Sequence, residues 1–150
     1  MIGLIQRVTG AKVTSQGRCL GAIERGIVAL IGVRRGDERQ SADRLLERLL
    51  AYRIFPDEAG RMNVSLRESG GGLLLVPQFT LAADTHKGTR PGFSTAAAPE
   101  EARSLFAYLL EQARASHERV AAGEFGAEMQ VELVNDGPVT FWLEARGGCD

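Results

Sequence analysis

The chain has 150 residues, a formal net charge of −1, and a composition that is 44% hydrophobic and 25% charged. This length favours one domain, which can bury enough surface to fold without disulfides or a metal. The near-zero charge gives no sign of a protein that wraps nucleic acid, although holding only the end of an RNA requires few phosphate contacts. No apolar run reaches the roughly 18 residues of a membrane span.

Two features of the chain indicate its compartment. Met1 leads directly into a strand pattern, with no signal-peptide pattern in front of it. Cys19 and Cys149 are too far apart in sequence for a disulfide framework or a zinc-ligand spacing, and free thiols are typical of reducing compartments. We therefore expect a cytoplasmic protein in which Cys19 is a half-buried hairpin residue and Cys149 belongs to the tail.

The first third of the chain has the pattern of β-strands. We predict strands over residues 1–8, 12–14, 19–23 and 26–33, and a hairpin turn at Ser15–Arg18 joins the second to the third. The fourth strand is continuously apolar and β-branched, which is typical of a central strand buried on both faces.

Two segments carry the apolar stripe of an amphipathic helix. The first follows Asp37, a candidate N-cap, and its stripe consists of Ala42, Leu45, Leu46, Leu49, Leu50 and Arg53. The second begins at Pro99, ends near His117, and has a stripe of Ala102, Leu105, Phe106, Leu109, Leu110 and Ala113. Both apolar faces should pack on a sheet.

The remaining strands complete the predicted fold. An apolar run from Leu73 predicts a buried strand, and the alternation over 128–134 predicts a half-buried one. Asn135–Pro138 then predicts a tight turn, after which 139–143 returns as a strand; residues 146–150 form a frayed tail. The pattern predicts an α/β domain with a mixed or mainly antiparallel sheet covered by two helices.

The end of the Leu73 strand is the best candidate for a site. Pro77 interrupts the strand, and Gln78, Phe79 and Thr80 follow with an amide, backbone N–H groups that could stabilise an oxyanion, and a hydroxyl. Thr80 as a nucleophile needs a base, and Asp84 and His86 are near in sequence. The residues alone leave open a packing role for Thr80 and a water-facing position for Gln78.

The segment after this strand end predicts a loop that lines a site. Residues 84–95 carry two glycines, one proline and three basic or imidazole groups, His86, Lys87 and Arg90. No third ligand accompanies Asp84 and His86, so no metal is expected, and no nucleotide-cofactor or calcium-binding motif is present. His117 is expected to contact the helix C-terminus.

The chain resembles a known family, the D-aminoacyl-tRNA deacylases, also called D-tyrosyl-tRNA deacylases, over roughly residues 1–144. The specific motifs are Gln78-Phe79-Thr80-Leu81-Ala82-Ala83-Asp84-Thr85 and Asn135-Asp136-Gly137-Pro138-Val139-Thr140. Further matching segments are Gln6-Arg7-Val8, Ala42-Asp43-Arg44-Leu45-Leu46 and Tyr52-Arg53-Ile54-Phe55.

The resemblance implies a function and an assembly. Such proteins hydrolyse the ester between a D-amino acid and the terminal ribose of tRNA, and they also remove mischarged glycine. The implied fold is a compact α/β barrel-like domain that works as a homodimer with active sites at the subunit interface. The implied partner is the aminoacylated 3′ end of tRNA, with no cofactor and no membrane.

The resemblance also implies residue roles. Gln78, Phe79 and Thr80 surround the scissile ester, while Gly137 and Pro138 form a cis dipeptide that enters the partner's site and rejects L-residues. Arg7 holds the dipeptide, and Pro77 and Met129 belong to the same substrate-binding group. Either Thr80 attacks the ester, or the ribose 2′-hydroxyl activates water; the lack of a clear base favours the second.

One position departs from the family pattern. Pro77 stands where the motif usually has serine, which removes a hydroxyl and a backbone donor at the site's edge. Proline here resembles the related animal-type deacylase, which tolerates some L-residues. Two alternatives of other kinds remain: a non-catalytic module that binds RNA ends, and a general small-ester hydrolase that uses Thr80.

Overall fold

The first strand of the fold is longer than the sequence pattern predicted. A computed structural model describes residues 1–147, so Cys149 and most of the predicted tail lie outside the described residues. The two strands predicted over 1–8 and 12–14 are one strand, β1 (Ile2–Ser15). Its first half pairs with β3 (Gly26–Gly32) and its second half with β2 (Arg18–Ile23), both antiparallel.

The other strands extend this sheet until it nearly closes. β6 (Gly72–Pro77) lies parallel to β3, and β7 (Val120–Ala122) lies parallel to β6. β2 closes on β7 so tightly that a Cβ at Gly21 would lie 3.0 Å from the carbonyl oxygen of Ala122. The predicted mixed, barrel-like sheet is therefore confirmed, with β7 as a strand that the sequence pattern did not reveal.

Two long helices cover the sheet, as predicted. They are α1 (Arg39–Ala51) and α3 (Pro99–Ser116), and they pack against each other through their apolar stripes. α1 ends before Arg53, and α3 begins with Pro99 in its first turn. β3 is buried on both faces, because Ile27 and Ile31 contact the helix-side core while Val28 belongs to the core inside the barrel.

Between the helices the chain forms small elements that the sequence left ambiguous. β4 (Phe55–Pro56) and β5 (Met62–Val64) form an antiparallel pair. A four-residue helix, α2 (Leu66–Ser69), follows, and Ser65 caps it by accepting a hydrogen bond from the Glu68 N–H. These elements carry the chain back to the start of β6.

The assignment of Asp37 as N-cap is wrong. Glu38 is the N-cap of α1, and the buried carboxylate of Asp37 instead accepts hydrogen bonds from the Met1 ammonium group, at 2.8 Å, and from the Arg34 N–H. Burial lowers the pKa of this ammonium group, and the hydrogen bond and charge of Asp37 oppose that shift. Asp37 therefore pairs with a charged group that is distant in sequence, and it does not cap α1.

We expect Asp37→Asn to lower the free energy of unfolding by about 2 kcal/mol, because it leaves a buried ammonium group without its counter-charge. Urea unfolding measures the change. Glu47→Gln, which removes an exposed carboxylate from the following helix α1, is the matched control and should change stability by less than about 0.5 kcal/mol. Equal stability of the two variants would contradict this account.

The prediction of a turn and a returning strand after residue 134 is also wrong. Residues 130–144 form one strand, β8 (Gln130–Glu144), which runs antiparallel to β1 along its whole length. Asn135 lies opposite Val8 and Thr140 lies opposite Gln6, so residues 136–139 stand opposite the single residue Arg7. The turn-forming residues therefore make a bulge in a continuous strand rather than a hairpin.

Candidate functional site

The first part of the candidate site begins where β6 ends. Pro77 is the last residue of β6, and the Gln78 N–H donates to the Ile31 carbonyl at 2.7 Å. A single 3-10 turn, Phe79–Ala82, follows directly. The predicted transition from a buried strand to polar groups at Pro77 is confirmed.

The 3-10 turn presents backbone donors. Its first internal bond runs from the Leu81 N–H to the Gln78 carbonyl at 3.3 Å, so the N–H groups of Phe79 and Thr80 precede it and have no partner within the turn. The Gln78 side-chain amide donates to the Thr80 hydroxyl oxygen. Two adjacent N–H groups in this position can stabilise a negatively charged oxygen.

A cavity of about 880 Å³ opens beside this turn. It is bordered by the end of β6, the loop before α3, the first turn of α3 and the segment before β8. The residues that matter for its chemistry are Pro77, Gln78, Phe79, Phe93, Phe125 and Met129. The structure therefore brings together four of the predicted site residues, including Met129 from a distant part of the sequence.

Sequence reasoning missed two aromatic residues of this cavity, Phe93 and Phe125. Phe93 packs against Phe79 with ring centroids 5.5 Å apart. Phe93 lies within the loop predicted to line a site, and Phe125 lies outside every predicted strand and helix, so neither carried a periodic signal. Two carboxylates, Glu101 and Glu128, also line the cavity, and neither forms a hydrogen bond with Gln78, Phe79 or Thr80 among the described residues.

Thr80 does not line this cavity. It lines a neighbouring one of about 630 Å³ together with Asp84 and His86. Those two residues pair with each other, with 2.7 Å between Asp84 Oδ1 and His86 Nδ1, and hydrogen bonds from the His86 N–H and ring lower the pKa of Asp84. Within residues 1–147 no hydrogen bond links Thr80 to a base.

The second predicted motif forms the bulge of β8. The Gly137–Pro138 peptide bond is cis, as the resemblance implied, and both residues are exposed. Arg7 holds the bulge in place. Its Nε donates to the Asp136 carbonyl at 2.9 Å, and its Nη1 donates to the Ile54 carbonyl at 2.7 Å.

Asn135 closes the bulge from the other side. Its side-chain oxygen accepts the Val139 N–H at 2.7 Å, and its amide donates to the Thr140 hydroxyl at 2.9 Å. The dipeptide is therefore fixed by side chains at both ends. Neither Gly137 nor Pro138 lines the cavity beside Gln78, so one chain presents the two motifs as separate groups.

Other kinds of site find no support in the described residues. Among residues 1–147 no group of three or more His, Cys, Asp or Glu could hold a metal ion. His117 lies at the end of α3, and its ring Nε2 is 2.6 Å from the carbonyl oxygen of Gly71. Cys19 is exposed rather than half-buried. No helix in this part of the chain has both the length and the apolar character needed to cross a membrane.

The fold is a nearly closed mixed α/β barrel that carries a bulged Gly-Pro dipeptide. The family model described as D-Tyr-tRNA(Tyr) deacylase matches residues 4–144, and the chain belongs to this family.

Individual relatives agree with this assignment. A D-aminoacyl-tRNA deacylase of Alkalilimnicola ehrlichii is 64% identical over 146 residues, which cover 97% of each chain. A D-aminoacyl-tRNA deacylase of Pseudomonas putida is 60% identical over 144 residues, covering 96% of this chain and 99% of that one.

Two solved structures share the fold. One, named c-Myc DNA Unwinding Element Binding Protein, is 37% identical with a TM-score of 0.93, covering 98% of this chain and 100% of that one. The other, described as a probable eukaryotic D-amino acid tRNA deacylase, has a TM-score of 0.82 at 16% identity, covering 95% of this chain and 98% of that one. The second likeness concerns the fold alone.

Proposed function

We propose that the protein hydrolyses the ester bond of D-aminoacyl-tRNA, and of mischarged glycyl-tRNA, releasing the amino acid and free tRNA in the cytoplasm. The observation that carries this proposal is the pair of N–H groups at Phe79 and Thr80, which have no partner within the 3-10 turn and lie beside Gln78 at the edge of the cavity. The names of the relatives, at 60–64% identity over nearly the whole chain, support the same substrate.

The separation of the two motifs supports a homodimer with shared active sites. β8 pairs only with β1 among the described residues, so a 15-residue strand leaves one edge open. Val131, Val134 and Trp142 on this strand are exposed large apolar residues, which favours a covered surface. In the proposed dimer, Gly137 and Pro138 of each subunit enter the partner's cavity near Gln78.

Chiral selection then comes from the backbone. The carbonyl groups of Gly137 and Pro138 accept hydrogen bonds from the substrate's amino group in one orientation. In that orientation an L-side chain points into the rigid bulge, and a D-side chain points outward. Glycine has no side chain to reject, and the site remains tolerant of different D-side chains.

The chemistry needs little from the side chains. Water adds to the ester carbonyl, the bond to the ribose 3′ oxygen breaks, and the proton lost by water ends on that oxygen. The neighbouring 2′-hydroxyl assists this proton transfer, while the N–H groups of Phe79 and Thr80 stabilise the oxyanion and Gln78 positions the ester. The aromatic rings of the cavity suit stacking on the terminal base.

We expect Thr80→Ala to lower kcat only about twofold to tenfold, because the Thr80 hydroxyl accepts a hydrogen bond from Gln78 and forms none with a base within residues 1–147. The measurement is the initial rate of deacylation of D-tyrosyl-tRNA, with Thr80→Ser as the conservative control. Complete loss of activity in the alanine variant, together with an acyl-enzyme trapped in the wild type, would assign Thr80 as the nucleophile.

The proposed function is tested by release of D-tyrosine from D-tyrosyl-tRNA. The wild type should accelerate release, and Gln78→Ala should lose most of that activity. One structural relative bears the name of a DNA-binding protein, so the second candidate is a nucleic-acid-binding module. Tight tRNA binding without turnover would favour that module, and hydrolysis of small esters lacking RNA would favour a general hydrolase.

A further inference from the structure

The segment between the 3-10 turn and α3 has a single carboxylate, that of Asp84 at its start. Residues 85–99 include neither Asp nor Glu, and they carry His86, Lys87 and Arg90. The proposed chemistry gives Lys87 and Arg90 no role. They lie in the sequence between the turn and Phe93 of the aromatic cavity, and they are the strongest unassigned feature of the surface.

Backbone pairing holds the first part of this segment as a closed loop. The Asp84 N–H donates to the Gly92 carbonyl at 2.7 Å, and the Gly92 N–H donates to the Asp84 carbonyl at 2.9 Å. Residues 85–91 between them are exposed. The Asp84 carboxylate accepts the His86 N–H and pairs with its ring, so the one acid at the loop base is engaged inside the loop.

The two cations of the loop are unpaired. Lys87 and Arg90 form no hydrogen bond, ion pair or cation–π contact with any residue in the described range 1–147. Two other arginines near the site are engaged, since Arg7 holds the bulge and Arg34 pairs with Glu144, while Arg35 lines the cavity. The charges of Lys87 and Arg90 are therefore available to an anionic partner.

Aromatic rings lie directly beside this loop. Phe93 is 45% exposed and Phe79 is 60% exposed, and the two rings contact each other at the cavity. Unpaired cations next to exposed aromatic rings are the combination with which proteins hold single-stranded nucleic acid, because the cations follow the phosphates while the rings stack on bases.

Carboxylates lie at other parts of the cavity wall. α3 begins with Glu100 and Glu101, and Glu128 lines the cavity before β8. A phosphate chain leaving the cavity is repelled there and attracted toward the loop. The distribution of charge thus defines one exit direction.

We infer that residues 85–93 guide the single-stranded 3′ end of tRNA out of the cavity, with Lys87 and Arg90 contacting backbone phosphates and Phe93 contacting a base. This inference rests on the proposed function, because an aminoacylated RNA end in the cavity continues into a phosphate chain.

The test is the double variant Lys87→Gln/Arg90→Gln, compared with Arg67→Gln/Arg114→Gln. The control pair removes the same charge from exposed residues at the ends of α2 and α3, away from the cavity. At 0.1 M salt the loop variant should raise KM for D-tyrosyl-tRNA about tenfold with little change in kcat. The salt dependence of log(kcat/KM) should become shallower by about 1.4, or about 0.7 for each lost phosphate contact to a single strand.

A substrate without phosphates separates the possible outcomes. The D-tyrosyl ester of adenosine should be hydrolysed equally by the wild type, the loop variant and the control variant. A wild type inactive on D-tyrosyl-tRNA would overturn the proposed function itself. An active wild type whose loop and control variants share the same salt dependence, or a loop variant equally impaired on the adenosine ester, would overturn this inference alone.

Discussion

Replacing Gly137 by alanine should lower the rate of D-tyrosyl-tRNA deacylation at least about 100-fold. Gly137 has φ +145°, a conformation that L-residues rarely adopt, and an added Cβ would lie 2.6 Å from Val139 Cγ2 and 2.9 Å from the Val139 nitrogen. The bulge must rearrange to accept it, which moves the carbonyl groups proposed to receive the substrate's amino group. A displacement of about 1 Å at such a contact costs on the order of 100-fold in rate.

The matched control for this substitution is Gly60→Ala. Gly60 also has a positive φ, +79°, but nothing lies within 4 Å of an added Cβ. The control should lose about 1 kcal/mol of stability while retaining its deacylation rate. Urea unfolding of both variants separates folding from activity. A folded Gly137→Ala protein with wild-type rate and selectivity would remove Gly137 from the proposed site.

A D-tyrosyl-tRNA whose terminal adenosine lacks the 2′-hydroxyl should be hydrolysed about 1,000-fold more slowly than the normal substrate. Within the described residues no base forms a hydrogen bond with Thr80, and the carboxylates lining the cavity form none with the strand end. The proton transfer that a side chain would otherwise assist, worth about 100- to 10,000-fold, is therefore assigned to the substrate.

Binding of the 2′-deoxy substrate should survive the loss of the hydroxyl. Its inhibition constant against the normal substrate should remain within about threefold of the normal KM, which shows that catalysis rather than docking is impaired. Glu101→Gln and Glu128→Gln should both retain activity. Rapid hydrolysis of the deoxy substrate would return the role of nucleophile to Thr80, and inactivation by either glutamate substitution would identify a missing base.

Local apolar periodicity predicted much of the fold. The stripes of α1 and α3 and the continuous apolar run of β6 are properties of short segments, and the structure has them where the patterns indicated. The strand end at Pro77 was also predictable from a local feature, because a proline interrupts a strand at its own position. β7 was missed because three residues are too few to establish an alternation.

Contacts between residues distant in sequence determined the features that local sequence patterns did not predict. Asn135–Pro138 has the composition of a hairpin turn, but pairing on both sides of it with β1 makes it a bulge. Arg7 contacts Asp136 across 129 residues of sequence, and the resemblance, rather than any pattern, indicated that contact. Asp37 likewise follows a tertiary partner, the Met1 ammonium group, in place of its local capping role.

The residues of the cavity also divide into those that a local pattern predicted and those that only the three-dimensional fold places there. Gln78 and Phe79 were predicted because they follow a recognisable strand. Phe93 and Phe125 reach the cavity only through the placement of the loop before α3 and of the turn before β8. Thr80, adjacent to Phe79 in sequence, faces a different cavity because the 3-10 turn rotates it away.

The most direct measurement compares deacylation of D-tyrosyl-tRNA and L-tyrosyl-tRNA prepared on the same tRNA. Backbone selection by Gly137 and Pro138 predicts rapid release of D-tyrosine and release of L-tyrosine at the rate found without enzyme. Rapid release of both would contradict strict chiral selection and would associate Pro77 with relaxed selectivity. Rapid release of neither would contradict the deacylase function.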